Sequence, residues 1–300
     1  MAKPAETARF AESIADLRGL LEPWRRSGTI GLVPTMGALH AGHARLIEHA
    51  RDECDSVVVS VFVNPLQFDR QDDLDGYPRS LQSDLALCER LNVDVVFAPS
   101  AEEMYPAPPL CTVEVSRIAD HLCGRHRPGH FRGVATVVMK LFEIVQPNRA
   151  YFGEKDAQQL AIIRRLVRDF NVPVAIAGVP TVREPDGLAV SSRNVRLNAD
   201  ERKLAPVLYQ ALCEAQRQIA AGVREVGQVK AASMARMPEG EALKLEYLEI
   251  VDPEEMQPVE RIDGPVCIAG ALWVGSTRLI DNLVVPTAPG TLSAVRSAQA

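Results

Sequence analysis

The run SVVVSVFV at 56–63 constrains the fold more than any other stretch. It is nearly all apolar and lacks the alternation of a strand with one wet face. Such a strand must be covered on both faces, as a central strand of a parallel sheet is. TIGLV (29–33), VDVVFAP (93–99), RAYFG (149–153) and VPVAIAGV (172–179) repeat the signal. Helical patterns lie between them. GHARLIEHARDE (42–53) places Leu46, Ile47 and Ala50 on one face, and SLQSDLALCERL (80–91) groups Leu81, Leu85 and Cys88. DAQQLAIIRRLVRDF (156–170) repeats Leu160, Ile163, Leu166, Val167 and Phe170 at helical spacing. Strands alternating with helices predict an α/β fold, a Rossmann-like parallel sheet with helices on both faces.

The pattern changes near residue 182. ADERKLAPVLYQALCEAQRQIAAGV (199–223) reads as one long amphipathic helix, and a second helical stretch runs to about Ala235. LKLEYLEIV (243–251), PVCIAGALWV (265–274) and TRLIDNLVV (277–285) read as antiparallel strands, with Gly275–Ser276 as a hairpin turn. The expected organisation is a Rossmann-like domain at 1–181, a smaller C-terminal α+β lid domain at 182–286, and a disordered tail at 287–300. With 47% apolar but only 5% aromatic residues, the core must be built from Val, Leu, Ile and Ala. The net charge of −6 speaks against a general nucleic-acid binder, which needs excess Lys and Arg. No apolar stretch reaches the ~18–20 residues of a membrane span, and MAKPAETARFAES at the N-terminus has no apolar signal-peptide core. Six cysteines without a CxxC pair read as reduced thiols. A soluble, cytoplasmic protein is expected.

Polar residues gather where strands end and helices begin. VPTMGALHAGH (33–43) carries His40 and His43 with Gly37 and Gly42 after an apolar run. In an open parallel sheet, ligands bind at the carboxyl ends of strands, beside helix N-termini that favour anions. Imidazole N–H groups there can donate to phosphate oxygens without a fixed charge. Three readings stand: phosphate binding, metal binding, or a turn with two solvated histidines. Against metal, no Cys or further His lies at ligand spacing and H-E-x-x-H is absent.

Three further stretches have the same character. Asn64 and Gln67 follow the central strand, either as neutral amides for hydroxyls and carbonyls or as part of an Asn-Pro turn. In FGEKDAQQL, Lys155 stands at a helix start, where only an anion makes a cation favourable. Asp156 with Gln159 has the spacing of a capping box. In VSSRN, Ser191, Ser192 and Arg193 can cradle an anion or simply link two domains. Arg127, His130 and Arg132 precede an apolar helix and could hold a carboxylate. The acidic stretch DRQDDLDGYP (69–78) reads as a solvated loop.

TMGALHAGH resembles the HxGH signature of the nucleotidyltransferase superfamily. VPTMGALHAGH, VFVNPLQF, FGEKDAQQL and VSSRN, in that order, are together similar to the pantothenate synthetases (pantoate–β-alanine ligases). The resemblance implies an AMP-forming ligase that condenses pantoate with β-alanine through a pantoyl adenylate. It also implies catalytic roles for His40, His43, Lys155, Ser191, Ser192 and Arg193. ATP would be bound by Pro34, Thr35, Met36, Gly42, Arg127, Gly153, Asp156, Val182 and Val190. Pantoate and β-alanine would be bound by Asn64, Gln67, Gln159, Val137 and Val138. Magnesium would come mainly through the ATP phosphates, with no dedicated protein site, and the resemblance implies a homodimer; from the residues themselves, apolar strands such as 112–115 could pair across it. Val190 replaces the family's usual methionine, and Ala157 stands where many members carry an aromatic. Two other functions remain: a small-molecule adenylyl- or cytidylyltransferase, and a non-catalytic nucleotide-binding module.

Overall fold

The structure is a computed structural model describing residues 8–238 and 240–286; the tail expected at 287–300 lies outside the described residues. In chain order the first elements are β1 (Arg9–Ala11), α1 (Ile14–Ser27), β2 (Ile30–Thr35), α2 (Ala41–Glu53), β3 (Ser56–Val61), α3 (Gln71–Asp75), α4 (Leu81–Arg90) and β4 (Val95–Phe97). They continue as α5 (Ala101–Met104), α6 (Leu122–His126), α7 (His130–Val145), β5 (Arg149–Gly153), α8 (Ala157–Asp169) and β6 (Ala175–Val179). The last are α9 (Ala199–Leu204), α10 (Val207–Ala220), α11 (Val226–Met234), β7 (Leu243–Val251), β8 (Val266–Val274) and β9 (Thr277–Val285).

Six parallel strands form one sheet in the order β1-β4-β3-β2-β5-β6. Ile30 pairs with Ser56 and Thr35 with Val61, so β2 and β3 run in step through the middle. Side chains alternate between two apolar layers. Leu32 and Val58 face the layer that holds α1, α7 and α8, while Val33, Val57 and Val59 face the layer with α2 and α4. Burial of both faces explains why these strands read as unbroken apolar runs.

The structure departs from the sequence reading in several places, and α1, α3, α5 and α6 are helices that reading does not place. β1 adds a short edge strand, RFA, pairing with β4. The single helix expected at 199–223 is broken between α9 and α10 by Pro206, which has no N–H to continue the ladder. The run 112–115 carries no strand within the chain; Val113 N–H instead donates to Thr136 Oγ1 at 3.0 Å. The second sheet is antiparallel, β7-β8-β9, and packs on α10 and α11, as expected for a smaller α+β unit.

Candidate active site

Strand order reverses between β2 and β5, and open α/β sheets bind ligands beyond the carboxyl ends of strands at such a point. A cavity of about 510 Å³ lies there. β2 contributes Pro34 and Thr35, β5 contributes Gly153, and β7–β9 supply Glu246, Tyr247, Trp273 and Arg278 from the other side. Of the residues to which the family resemblance gives a role, all but Asn64 line it.

His40 is the N-cap of α2 and His43 its third residue, and the two side chains form a capping box. His40 Nδ1 accepts from Gly42 N–H at 3.1 Å, and His43 Nδ1 accepts from His40 N–H at 3.3 Å. Side chains thereby satisfy two of the free amides at the helix start. A ring nitrogen that accepts carries no proton, so each neutral imidazole bears its proton on Nε2. Burial, with Lys155 nearby, lowers His40 to about 4. Burial, then His40, then Lys155 lowers His43 to about 3. Both rings are therefore neutral Nε2–H donors at pH 7. Gly42 is needed because the His40 ring folds back over it: a Cβ there would lie 2.9 Å from His40 Cε1.

Asp84, buried in α4, holds the loop before the histidines. Its carboxylate accepts from Ala38 N–H at 3.0 Å and Leu39 N–H at 2.7 Å. Thr35 Oγ1 donates to Ser60 O at 2.7 Å and accepts from Gly37 N–H at 3.1 Å, which fixes the end of β2.

Asn64 sits behind the cavity wall, contrary to the expectation of a direct contact. Its amide donates to Gln67 Oε1 at 3.0 Å and Gly133 O at 3.1 Å. Its oxygen accepts from Leu66 N–H at 3.3 Å and Tyr105 OH at 3.0 Å. Fully engaged, it positions Gln67, whose own amide donates to Met36 Sδ at 3.0 Å. Val137 and Val138 are both core residues of α7 and wall residues of the cavity.

Asp156 stands at the N-cap of α8 but makes no side-chain cap bond, so the capping box expected with Gln159 does not form. It lies 3.8 Å from Lys155 Nζ, and both face the cavity together with Gln159. Gln158 ties down the preceding loop through Ile118 O and His121 O at 2.7 and 2.8 Å.

The segment 182–196 is a tight loop followed by a 3-10 turn. Val190 N–H donates to Val182 O at 3.0 Å, and Ser191 Oγ accepts from Arg193 N–H at 3.3 Å. The acidic stretch is only partly a solvated loop: Asp72 and Asp75 are exposed, but it contains α3 and reaches the site. Asp73 accepts from Arg193 at 2.8 Å and from Arg196 at 2.9 Å, and Tyr77 OH lies 3.4 Å from Ser192 Oγ. Asp69 accepts from Arg127 Nε at 2.9 Å. Arg127 also reaches Gln67 O and His130 Nε2, while Arg132 is half-exposed and outside the cavity. His130 Nδ1 donates to Gln67 O at 2.7 Å, and burial lowers this ring to about 3. These acid–base pairs join residues 58 to 123 positions apart, so spacing in the sequence gives no sign of them.

Residues 9–284 match the family model described as pantoate-beta-alanine ligase. A pantothenate synthetase from Thermotoga petrophila is 50% identical over 278 residues, covering 92% of this chain and 99% of that protein. The crystal structure of pantothenate synthetase from Thermus thermophilus superposes with a TM-score of 0.88 at 47% identity, covering 94% of this chain and all of that one. The pantoate-beta-alanine ligase from Francisella tularensis, complexed with beta-gamma ATP and beta-alanine, superposes with a TM-score of 0.77 at 37% identity over 92% of this chain and 97% of that one.

Proposed function

The chain belongs to the pantoate–β-alanine ligase family, and we propose that its cavity runs that ATP-dependent ligation in two steps. The pantoate carboxylate attacks the α-phosphorus of ATP and expels pyrophosphate, leaving pantoyl adenylate. The β-alanine amine then attacks the mixed-anhydride carbonyl and AMP departs, giving pantothenate. The observation that carries this reading is the pair of neutral Nε2–H imidazoles fixed at a helix N-terminus beside Lys155. They donate to phosphate oxygens while Lys155, Arg193 and the Ser191–Ser192 hydroxyls balance the charge that develops on the triphosphate. Gln67 and Gln159 hold pantoate against Val137 and Val138. Pro34, Thr35, Met36, Gly42, Gly153, Asp156, Val182 and Val190 form the nucleotide side, with Arg127 near the phosphates.

Magnesium enters on the triphosphate. Of the six carboxylates that line the cavity among the described residues, Asp69, Asp72, Asp73, Glu246 and Asp281 are each tied to an arginine. Only Asp156 is left, a donor set too small for a protein cage but sufficient for a cation that leans on phosphate. Residues 182–286 act as the lid. The protein works as a homodimer, a reading supported by the exposed apolar segment around Leu110, which is 98% exposed. Six free cysteines fit the reducing cytoplasm.

Isotope exchange tests the order of events. Pantoate alone must drive ATP–pyrophosphate exchange, and AMP must appear only once β-alanine is added. His43→Ala or Lys155→Ala is expected to slow adenylate formation by about 10²–10³, the usual cost of one preorganised donor. Rates within threefold of wild type for both variants would defeat the assignment, and pantoate-independent exchange would favour a simple nucleotidyltransferase.

A further inference from the structure

β9 carries two adjacent polar residues, Asp281 and Asn282, between the apolar pairs Leu279–Ile280 and Leu283–Val284, and both are buried. Asn282 is 7% exposed. Its side-chain amide crosses from the antiparallel sheet to the end of β5 and donates to two consecutive backbone carbonyls, Glu154 O at 2.9 Å and Lys155 O at 2.8 Å. One NH2 group has two protons, so this pair of acceptors uses its whole donor capacity and fixes the orientation of the amide. The acceptors belong to the 3-10 turn Glu154–Asp156 that presents Lys155 to the cavity.

Asn282 is itself held on both sides. Its N–H donates to Asp281 Oδ1 at 2.8 Å. The Asp281 carboxylate is gripped by Arg183 through two bonds, at 2.6 and 3.0 Å, and Arg183 also donates to Asn282 O at 3.4 Å. Arg183 lies at the start of the loop that leads to Ser191–Arg193, donates to Gly187 O at 3.0 Å, and stacks 4.0 Å over the Tyr209 ring. An unbroken chain of short contacts therefore runs from the serine–arginine loop through Arg183, Asp281 and Asn282 to the backbone of Lys155.

We propose that Asn282 is a positioning residue for Lys155, through which the antiparallel sheet sets the catalytic turn of the parallel sheet. The role rests on the reading of Lys155 given above. Removing the amide leaves two carbonyls of the turn without their donor, so the turn relaxes and Lys155 loses its fixed approach to the nucleotide. Pantoate is held by other residues, so its KM is unaffected.

The test is a double-mutant cycle read by pantoate-dependent ATP–pyrophosphate exchange, using Asn282→Ala, Lys155→Ala and the double variant of the full chain. Two groups that act through one another show non-additive losses. Asn282→Ala is expected to cut the exchange kcat by more than threefold in the wild-type background, with KM for pantoate within twofold. In the Lys155→Ala background the same substitution should change the rate by less than twofold. Equal fold losses in the two backgrounds, or a loss below threefold in the first, overturn the proposal. Should Asn282→Ala not fold, Asn282→Asp has the same shape without the donors and is read against the same limits. If Lys155→Ala alone leaves exchange unchanged, the reading of Lys155 fails, a different result from a failure of coupling.

Discussion

His40 and His43 show how one residue pair serves structure and chemistry together. Each ring spends Nδ1 on the backbone of α2 and keeps Nε2–H for a ligand. The HxGH spacing and the choice of a neutral donor are legible in the sequence, since the strand before and the helix after locate the pair. The capping box is not legible: histidine is not a usual cap, and its rings act as one only because Gly42 leaves room. A consequence follows for stability. His40, His43 and His130 have folded pKa values of about 4, 3 and 3, below the ordinary value of 6.5. Between these limits the unfolded chain binds more protons than the native one, so stability is full above about pH 6.5 and declines as pH falls. Burial raises the Asp84 carboxyl and works in the opposite sense, but this is one group against three. The urea midpoint is therefore expected to drop steadily from pH 6.5 to 4.5, above the range where most carboxylates titrate. In His130→Asn the slope should be visibly shallower. A midpoint that stays level over that window would show that the histidines are not held neutral.

At the scale of elements, the strands and helices that face the core on a strict period were readable, because burial dictates both their composition and their phase. β1 was not: three residues at a sheet edge carry no periodic signal. Nor was the break at Pro206 read from a pattern that stays amphipathic on both sides of it. The contact of α7 with the 3-10 turn Pro65–Gln67 was equally hidden. Gly133 on α7 lies so close to that turn that an added Cβ would sit 2.2 Å from Leu66 O and 2.6 Å from Gln67 N. Backbone cannot give way as a side-chain tip can. Gly133→Ala is thus expected to cost about 1–3 kcal/mol as an overpacked site. Because Gly133 O also holds Asn64, which holds Gln67, the shift reaches the cavity. KM for pantoate should rise several-fold while KM for ATP stays near wild type. Urea unfolding and exchange kinetics check the two halves of this expectation. Equal rises in both KM values would place the damage elsewhere than at Gln67.

The whole molecule depends on contacts that no local pattern announces. The parallel sheet, the serine–arginine loop and the antiparallel sheet meet around one cavity, joined by pairs as far apart in sequence as Glu154 and Asn282. The motifs marked the corners of the site because each follows a strand end, a local signal. The ion pairs between those corners arise only once the chain has folded, which is why the acidic stretch 69–78 read as solvated although it grips Arg127, Arg193 and Arg196. Arg183–Asp281 is the most buried of these links, with side chains 17% and 4% exposed. A buried pair stabilises little against an apolar replacement, but a half-pair is costly, at about 3–5 kcal/mol, because one charge is left without compensation. Arg183→Met strands the Asp281 carboxylate and should lose about that much. Adding Asp281→Leu removes the stranded charge, so the double variant should recover most of the loss despite carrying two substitutions. Urea denaturation of the three proteins decides it. If the double variant is less stable than Arg183→Met, the pair is a net source of stability and not simply a link whose two halves must be kept or lost together.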